Sequence, residues 1–368
     1  MMIMGSLAEK VRQFTPNWFA ITMGNGIVFL ILAALPIHFS GQQILAEALW
    51  AIDTVVYMIF ALMFTARLII YPDTIKPMLQ HPVQSMFLGA IPMGLVPIIN
   101  GIVIFAGPRF GSDVYSLAFF VWCFDVVLAV VIAIGVPYLA FRSQNHAFEK
   151  LTAVLLLPIV APEVAASSAA VLAPHLAPEI ARYIIGAGYV LWAISVPQAF
   201  MVLTLVFFRL VIHKLPHRDL GVSSWLTLGP IGTGALGLLT LGQAAPAAFS
   251  GTQLASVAIT ARDFGVIGGL LLWGMGIWWL VCAILFMSHY RREGLPFNLG
   301  WWGLTFPLGV YVAATLNLYF ITQLIVFEVI GIVLAGLLLG LWLIVLIKTL
   351  NALIHGRLFH APCLNDLN

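Results

Sequence analysis

Charge is what this chain has least of. Lys, Arg, Asp and Glu make up 8% of its 368 residues, where a soluble domain carries about 25%. A soluble fold is excluded on that ground. The net charge is only +2, so neither nucleic acid nor an acidic surface is implied as a partner. Cysteine is scarce too: Cys123, Cys282 and Cys363 are far apart and odd in number, which gives no disulfide framework and no metal-ligand spacing. The nine histidines stand at 38, 81, 146, 175, 213, 217, 289, 355 and 360, all outside or at the ends of the long apolar runs. Haem ligation between helices, di-iron centres and intramembrane zinc proteases need histidine inside the bundle. His-Glu-x-x-His and Gly-x-Ser-x-Gly are both missing. No cofactor is expected, and an intramembrane enzyme or cofactor protein is the disfavoured alternative.

What is abundant is apolar sequence, 62% of the chain. Runs near twenty residues, the length that crosses a bilayer, cover 16–36, 46–70, 86–106, 114–141, 151–172, 183–212, 224–242, 264–287, 301–321 and 326–347. The first run follows Lys10 and Arg12 like a signal peptide, but its length and the many later runs mark it as an uncleaved first helix. The connections are short. The longest, Gln243 to Asp263, holds mostly small residues. Residues 1–368 therefore read as one integral membrane transport domain, all-α and polytopic, lying in a lipid bilayer. Of the 16 lysines and arginines, only Arg109, Arg182 and Arg262 fall on one side of this map. Basic loops stay in the cytoplasm, which places both termini there in a plasma (inner) membrane. An even number of spans agrees.

Proline divides the spans into two classes. The third has Pro92 and Pro97, the fifth Pro158 and Pro162, the seventh Pro230 and the ninth Pro307. In the first, Gly24-Asn25-Gly26 holds the comparable place. The second, eighth and tenth have no internal proline, the fourth has Pro137 near its end, and the sixth breaks the rule with Pro197. Proline inside a helix removes a donor and bends it. Bent backbone in lipid must line a cavity or be covered by protein. Five hairpins follow, each with one kinked and one straighter helix, and the kinked odd helices ring a central passage.

Few polar groups lie inside the spans, and each has a plain alternative to function. Glu163, one residue after Pro162, is a candidate proton site or a carboxyl that caps amides freed at the kink. Asp125 is expected to make a structural hydrogen bond, and Asp53, nearer the outer end of its span, to be wetted. No lysine or arginine is near mid-span, so an anion passage would depend on helix dipoles and on exposed amides and hydroxyls. Asn25, Asn100, Ser167, Thr233, Thr305 and Asn317 are available, though each can equally bond a neighbouring helix. Phe306 is the largest side chain beside an odd-span weak point, either a pore gate or a packed phenylalanine.

Two motifs carry a resemblance over essentially the whole chain. Phe14-Thr15-Pro16-Asn17-Trp18-Phe19 with Met23-Gly24-Asn25-Gly26, and Trp301-Trp302-x-x-Thr305-Phe306-Pro307, resemble the tellurite-resistance/dicarboxylate transporter family. It includes malic acid permeases, sulfite exporters and slow-type anion channels. The resemblance implies five hairpins about a pseudo-fivefold central pore, odd helices inside, and a homotrimer. It also implies a phenylalanine that occludes the pore, which falls on Phe306. Asn25 departs from the family's usual threonine, and Glu163 puts a carboxyl where anions should pass. Long regulatory tails like those of the plant channels are missing, so kinase control is not expected. The expected function is transport of a small anion, a C4-dicarboxylate such as malate or an oxyanion such as sulfite or tellurite. A passive gated anion channel is the alternative.

Overall fold

The structure is a computed structural model, and it describes residues 6–367. Ten helical spans are long and apolar enough to cross a membrane: Pro16–Ala34, Gln42–Ile70, Ser85–Phe110, Ser112–Arg142, Ala153–His175, Pro178–His213, Arg218–Ala248, Ala255–Arg292, Leu299–Thr322 and Ile325–Ile354. They match the ten apolar runs and mostly extend them, because helices continue past the hydrocarbon into the polar margins.

The odd and even spans are built differently. Each even span is one α-helix, from 29 residues in the second to 39 in the eighth. Each odd span opens with a 3-10 segment and then becomes α-helical. The 3-10 segments are Pro16–Trp18, Ser85–Gly89, Ala153–Leu155, Arg218–Thr227 and Leu299–Leu304. The α segments begin at Phe19, Ala90, Leu156, Leu228 and Phe306. This changes the role of the prolines. Pro92, Pro158 and Pro230 are each the third residue of an α segment, and Pro307 is the second. In a first turn, proline gives up little, since that turn's N–H groups have no helical partner of the i→i−4 kind. The bend expected within a continuous helix at Pro307 is instead a junction where the α segment starts. Pro97 and Pro162 do lie inside α segments, and the third span passes through a π turn at Ile102–Ala106. Gly24-Asn25-Gly26 sits in unbroken helix, Phe19–Ala34.

Burial separates two layers. Within their most apolar stretches the odd spans are 72% to 89% buried and the even spans 17% to 33%. The odd spans pack in sequence, first on third, third on fifth, fifth on seventh, seventh on ninth, and the ninth returns to the first. They form a closed inner ring with the even spans outside it.

Tryptophan ties the layers together. Trp50 donates to the Ile98 carbonyl (3.2 Å), Trp122 to that of Ala165 (2.9 Å) and Trp192 to that of Gly234 (2.9 Å). Trp273 donates to Thr315 Oγ1 (2.9 Å), and Trp342 to Asn25 Oδ1 (2.7 Å). Every even span thus bonds the next odd span, and the tenth closes on the first. Three residues after each tryptophan stands a buried position: Asp53, Asp125, Ser195, Gly276 and Val345. Asp53, expected to be wetted, has 0% exposure, because this helix face turns toward the inner ring. It lies beside Asn25. Asp125, expected to hydrogen-bond, is also fully buried, and neither of its oxygens has a partner among the described residues.

Candidate functional site

A cavity of about 290 Å³ opens at the N-terminal ends of the inner ring. All five odd spans line it with residues from their opening turns: Asn17, Phe87, Val154, Ser223 and Gly300 each supply part of the wall, and Gln84, the residue just before the third span, adds to it. Neither lysine nor arginine does. The inner helices run in one direction, so their positive dipole ends lie on this side. The one acid in the wall among the described residues, Asp219, is 3.3 Å from His217 Nδ1.

Two amides in the wall have unused capacity. Asn17 Oδ1 and Gln84 Oε1 are buried and have no hydrogen-bond partner among the described residues. An amide offers donors and an acceptor, and a buried one left unpaired costs about 1–3 kcal/mol. A third, Asn298, is already engaged: it accepts from the Gly300 N–H (2.8 Å) and donates to the Asp219 carbonyl (3.3 Å). The unpaired atoms are acceptors; an oxyanion can accept only from the NH2 ends of the same side chains, without a fixed cation.

The residues just before the prolines of the inner spans are apolar. Ile91, Leu157, Gly229 and Phe306 each immediately precede the first proline of an odd span. Leu157 lines the cavity, as does Gly303, one turn before Phe306. Phe306 is 3% exposed and opens its α segment. Gly229 is buried, yet a Cβ added to it would meet nothing within 4 Å. Open space therefore exists beside Gly229, which holds the place before Pro230 that Phe306 holds before Pro307.

The other anticipated residues have specific neighbours. Gly24 packs against Trp302 and Thr305, and Gly26 against Pro97. The two sequence motifs are thus two sides of one contact between the first and ninth spans. Trp302 is fully buried and donates to Thr349 Oγ1 (3.1 Å), whereas Trp301 is half-buried under Lys348. The pair divides between interior and margin. Thr305 donates to the Trp302 carbonyl (2.7 Å), Ser167 to that of Val164 (2.8 Å), and Asn317 to that of Ala313 (2.9 Å). Asn100 accepts from Ser168 (2.6 Å), linking the third and fifth spans. Thr233 Oγ1 is buried and has no hydrogen-bond partner among the described residues. Glu163 is fully buried beside Ser195 of the sixth span, whose hydroxyl donates to the Ile159 carbonyl (2.7 Å). Glu163 does not line the cavity.

Sequence reasoning passed over Asn17, Gln84, Asp219 and Ser223. It looked for polar groups at the proline positions, and these lie in the opening turns just before them. Asn17 stood within a motif already singled out.

Comparison with known proteins adds three findings. A family model described as a voltage-dependent anion channel, SLAC1, matches residues 13–350. A sulfite efflux pump of Arthroderma otae is 35% identical over 353 residues, covering 95% of this chain and 93% of that protein. A malic acid transport protein of Schizosaccharomyces pombe is 23% identical over 369 residues, covering 96% and 81%. These relatives are transporters of the kind that the two motifs resemble. With a match over nearly its whole length, the chain belongs to the SLAC1 family of voltage-dependent anion channels.

Proposed function

We propose that this protein carries small anions across the plasma (inner) membrane through the centre of its inner helix ring. Both termini lie in the cytoplasm, and the cavity is the cytoplasmic mouth. The observation that carries the reading is that all five inner spans contribute to one cavity, at the end where their dipoles are positive. The sulfite efflux and malic acid transport named for the relatives point to an oxyanion or a C4-dicarboxylate as cargo. Sulfite is the first choice, because the sulfite pump is the more similar.

Asn17 and Gln84 meet the anion at the mouth. Pro92, Pro158, Pro230 and Pro307 fix where each inner helix begins, and Phe306 occludes the passage just below. Thr233 and Thr305 lie in the same inner layer. The protein works as a homotrimer whose outer spans face lipid and the other copies. A passive gated channel differs from a coupled carrier in this reading in whether anion flux follows a pH gradient.

The test is flux in liposomes over a panel of sulfite, malate, chloride and nitrate, with and without a pH gradient. Phe306→Ala should raise sulfite flux about tenfold or more, since tenfold is only ~1.4 kcal/mol of barrier. Unchanged flux in a well-folded variant removes the gate. No flux of any anion from the wild type removes the transport reading.

A further inference from the structure

A second cavity, about 400 Å³, lies beside the first and shares Val83, Val154 and Leu220 with it. Its chemistry is different. Lys150, Arg209, His146 and His217 line it, with Glu149 the only acid among the described residues. Pockets that hold small molecules begin at about 300 Å³, so the space suffices.

Arg209 is 5% exposed. Its guanidinium donates to the Glu149 carbonyl from Nε (3.0 Å) and Nη2 (2.6 Å), and to the Lys214 carbonyl from Nη1 (2.6 Å). A guanidinium has more N–H groups than these three bonds use. All of these acceptors are neutral, and Arg209 forms no ion pair among the described residues. A buried cation without a counter-ion is costly. Lys150 is exposed and likewise forms no ion pair among those residues.

Arg67 provides an internal comparison. It follows Trp50 by the same number of residues as Arg209 follows Trp192. It too straps the start of its own hairpin, bonding the Phe14 carbonyl and Thr74 Oγ1. Its remaining side is covered by Cys363, whose sulfur is 3.8 Å from Nη2. The chain's last segment closes over Arg67, whereas the space beside Arg209 is open. His217 pairs with Asp219, so the partition between the cavities carries one group facing each. His146 bonds Gln144 (2.8 Å), and burial holds it below the ordinary histidine range. It therefore adds little positive charge at neutral pH.

We propose that this side cavity is a loading site for small oxyanions, where Lys150 and Arg209 hold the anion before it crosses into the central cavity. The proposal rests on the anion-transport reading, and its test separates the two. The probe is radiolabelled sulfite, bound at equilibrium to the purified full-length protein at low and high salt. Arg209 is left intact because it also straps the chain.

Lys150→Gln should weaken binding on the order of tenfold at low salt, with the difference shrinking at high salt, and Lys150→Arg should keep it. In liposomes Lys150→Gln should raise the half-saturating sulfite concentration on the cytoplasmic side more than it lowers the maximal rate. Binding by Lys150→Gln equal to that of the wild type overturns the site, as does absence of sulfite binding by the wild type. Loss of binding in Lys150→Arg equal to that in Lys150→Gln also overturns it. If liposomes show no anion flux while Lys150→Gln still loses binding, the site stands and the transport reading falls.

Discussion

At the scale of single residues, Phe306 and Gly229 belong together. A phenyl ring that opens a passage needs somewhere to go, and Gly229, with open space beside it, holds the place before Pro230 that Phe306 holds before Pro307. Gly229→Ala should therefore be silent. Gly229→Leu should fill the space and lower sulfite flux about tenfold, a barrier change of ~1.4 kcal/mol, with thermal stability in detergent unchanged. Flux equal to wild type in Gly229→Leu would mean the ring moves elsewhere or not at all. Phe306 was legible in the sequence because a motif pointed to it. Gly229 was not, because its meaning lies in what surrounds it, and Gly-Pro-Ile-Gly reads only as weak helix. Glu163 shows the opposite case. Its rarity in an apolar chain drew attention, yet it faces the seam with the sixth span rather than the cavity. Glu163→Gln keeps the shape and removes the titration. Its uptake should respond to an inward proton gradient as the wild type does, and a lost response would restore Glu163 as the proton site.

At the scale of elements, the sequence showed ten spans and the odd-even division, since length and proline count survive in the raw text. It did not show that Pro92, Pro158, Pro230 and Pro307 start helices rather than bend them. Proline is compatible with a first turn and disruptive in an interior, and the letter is the same in both. Only the preceding 3-10 segments, which have no strong sequence mark, decide between them. The tryptophan ties were readable in principle. Trp50-Ala51-Ile52-Asp53, Trp122-Cys123-Phe124-Asp125 and Trp192-Ala193-Ile194-Ser195 form a repeat, but it fades in the last two hairpins. The tie that closes the ring is Trp342 to Asn25. Trp342→Phe removes one donor and leaves a half-buried amide oxygen short of its partner, which should cost about 1–2 kcal/mol. Calorimetry in detergent should show the loss. In a double-mutant cycle with Asn25→Ala the two losses should not add, and full additivity would mean that the bond contributes nothing.

At the scale of the whole molecule, the ring has a polarity that the charges reinforce. The side away from the termini carries three arginines, and two of these are matched by carboxylates. Arg109 pairs with Glu47 across the second and third spans, and Arg262 with Asp263. The opposite side keeps Lys150 and Arg209 free of ion pairs among the described residues and builds a cavity around them. The asymmetry in usable positive charge is therefore larger than the count of basic residues suggests. Two independent features share this polarity. Basic loops are retained in the cytoplasm during insertion, and the positive dipole ends of the inner helices face the same side as the two cavities. If both hold, anions inside the cell meet the receptive end of the ring first, which suits export. The direction is open to a simple measurement. In right-side-out vesicles a protease should leave a tag after Asn368 intact and should cut a cleavage site placed in the turn at 35–41. In inverted vesicles the pattern should reverse. A tag cleaved in right-side-out vesicles would put both cavities outside the cell and turn the proposed exporter into an importer.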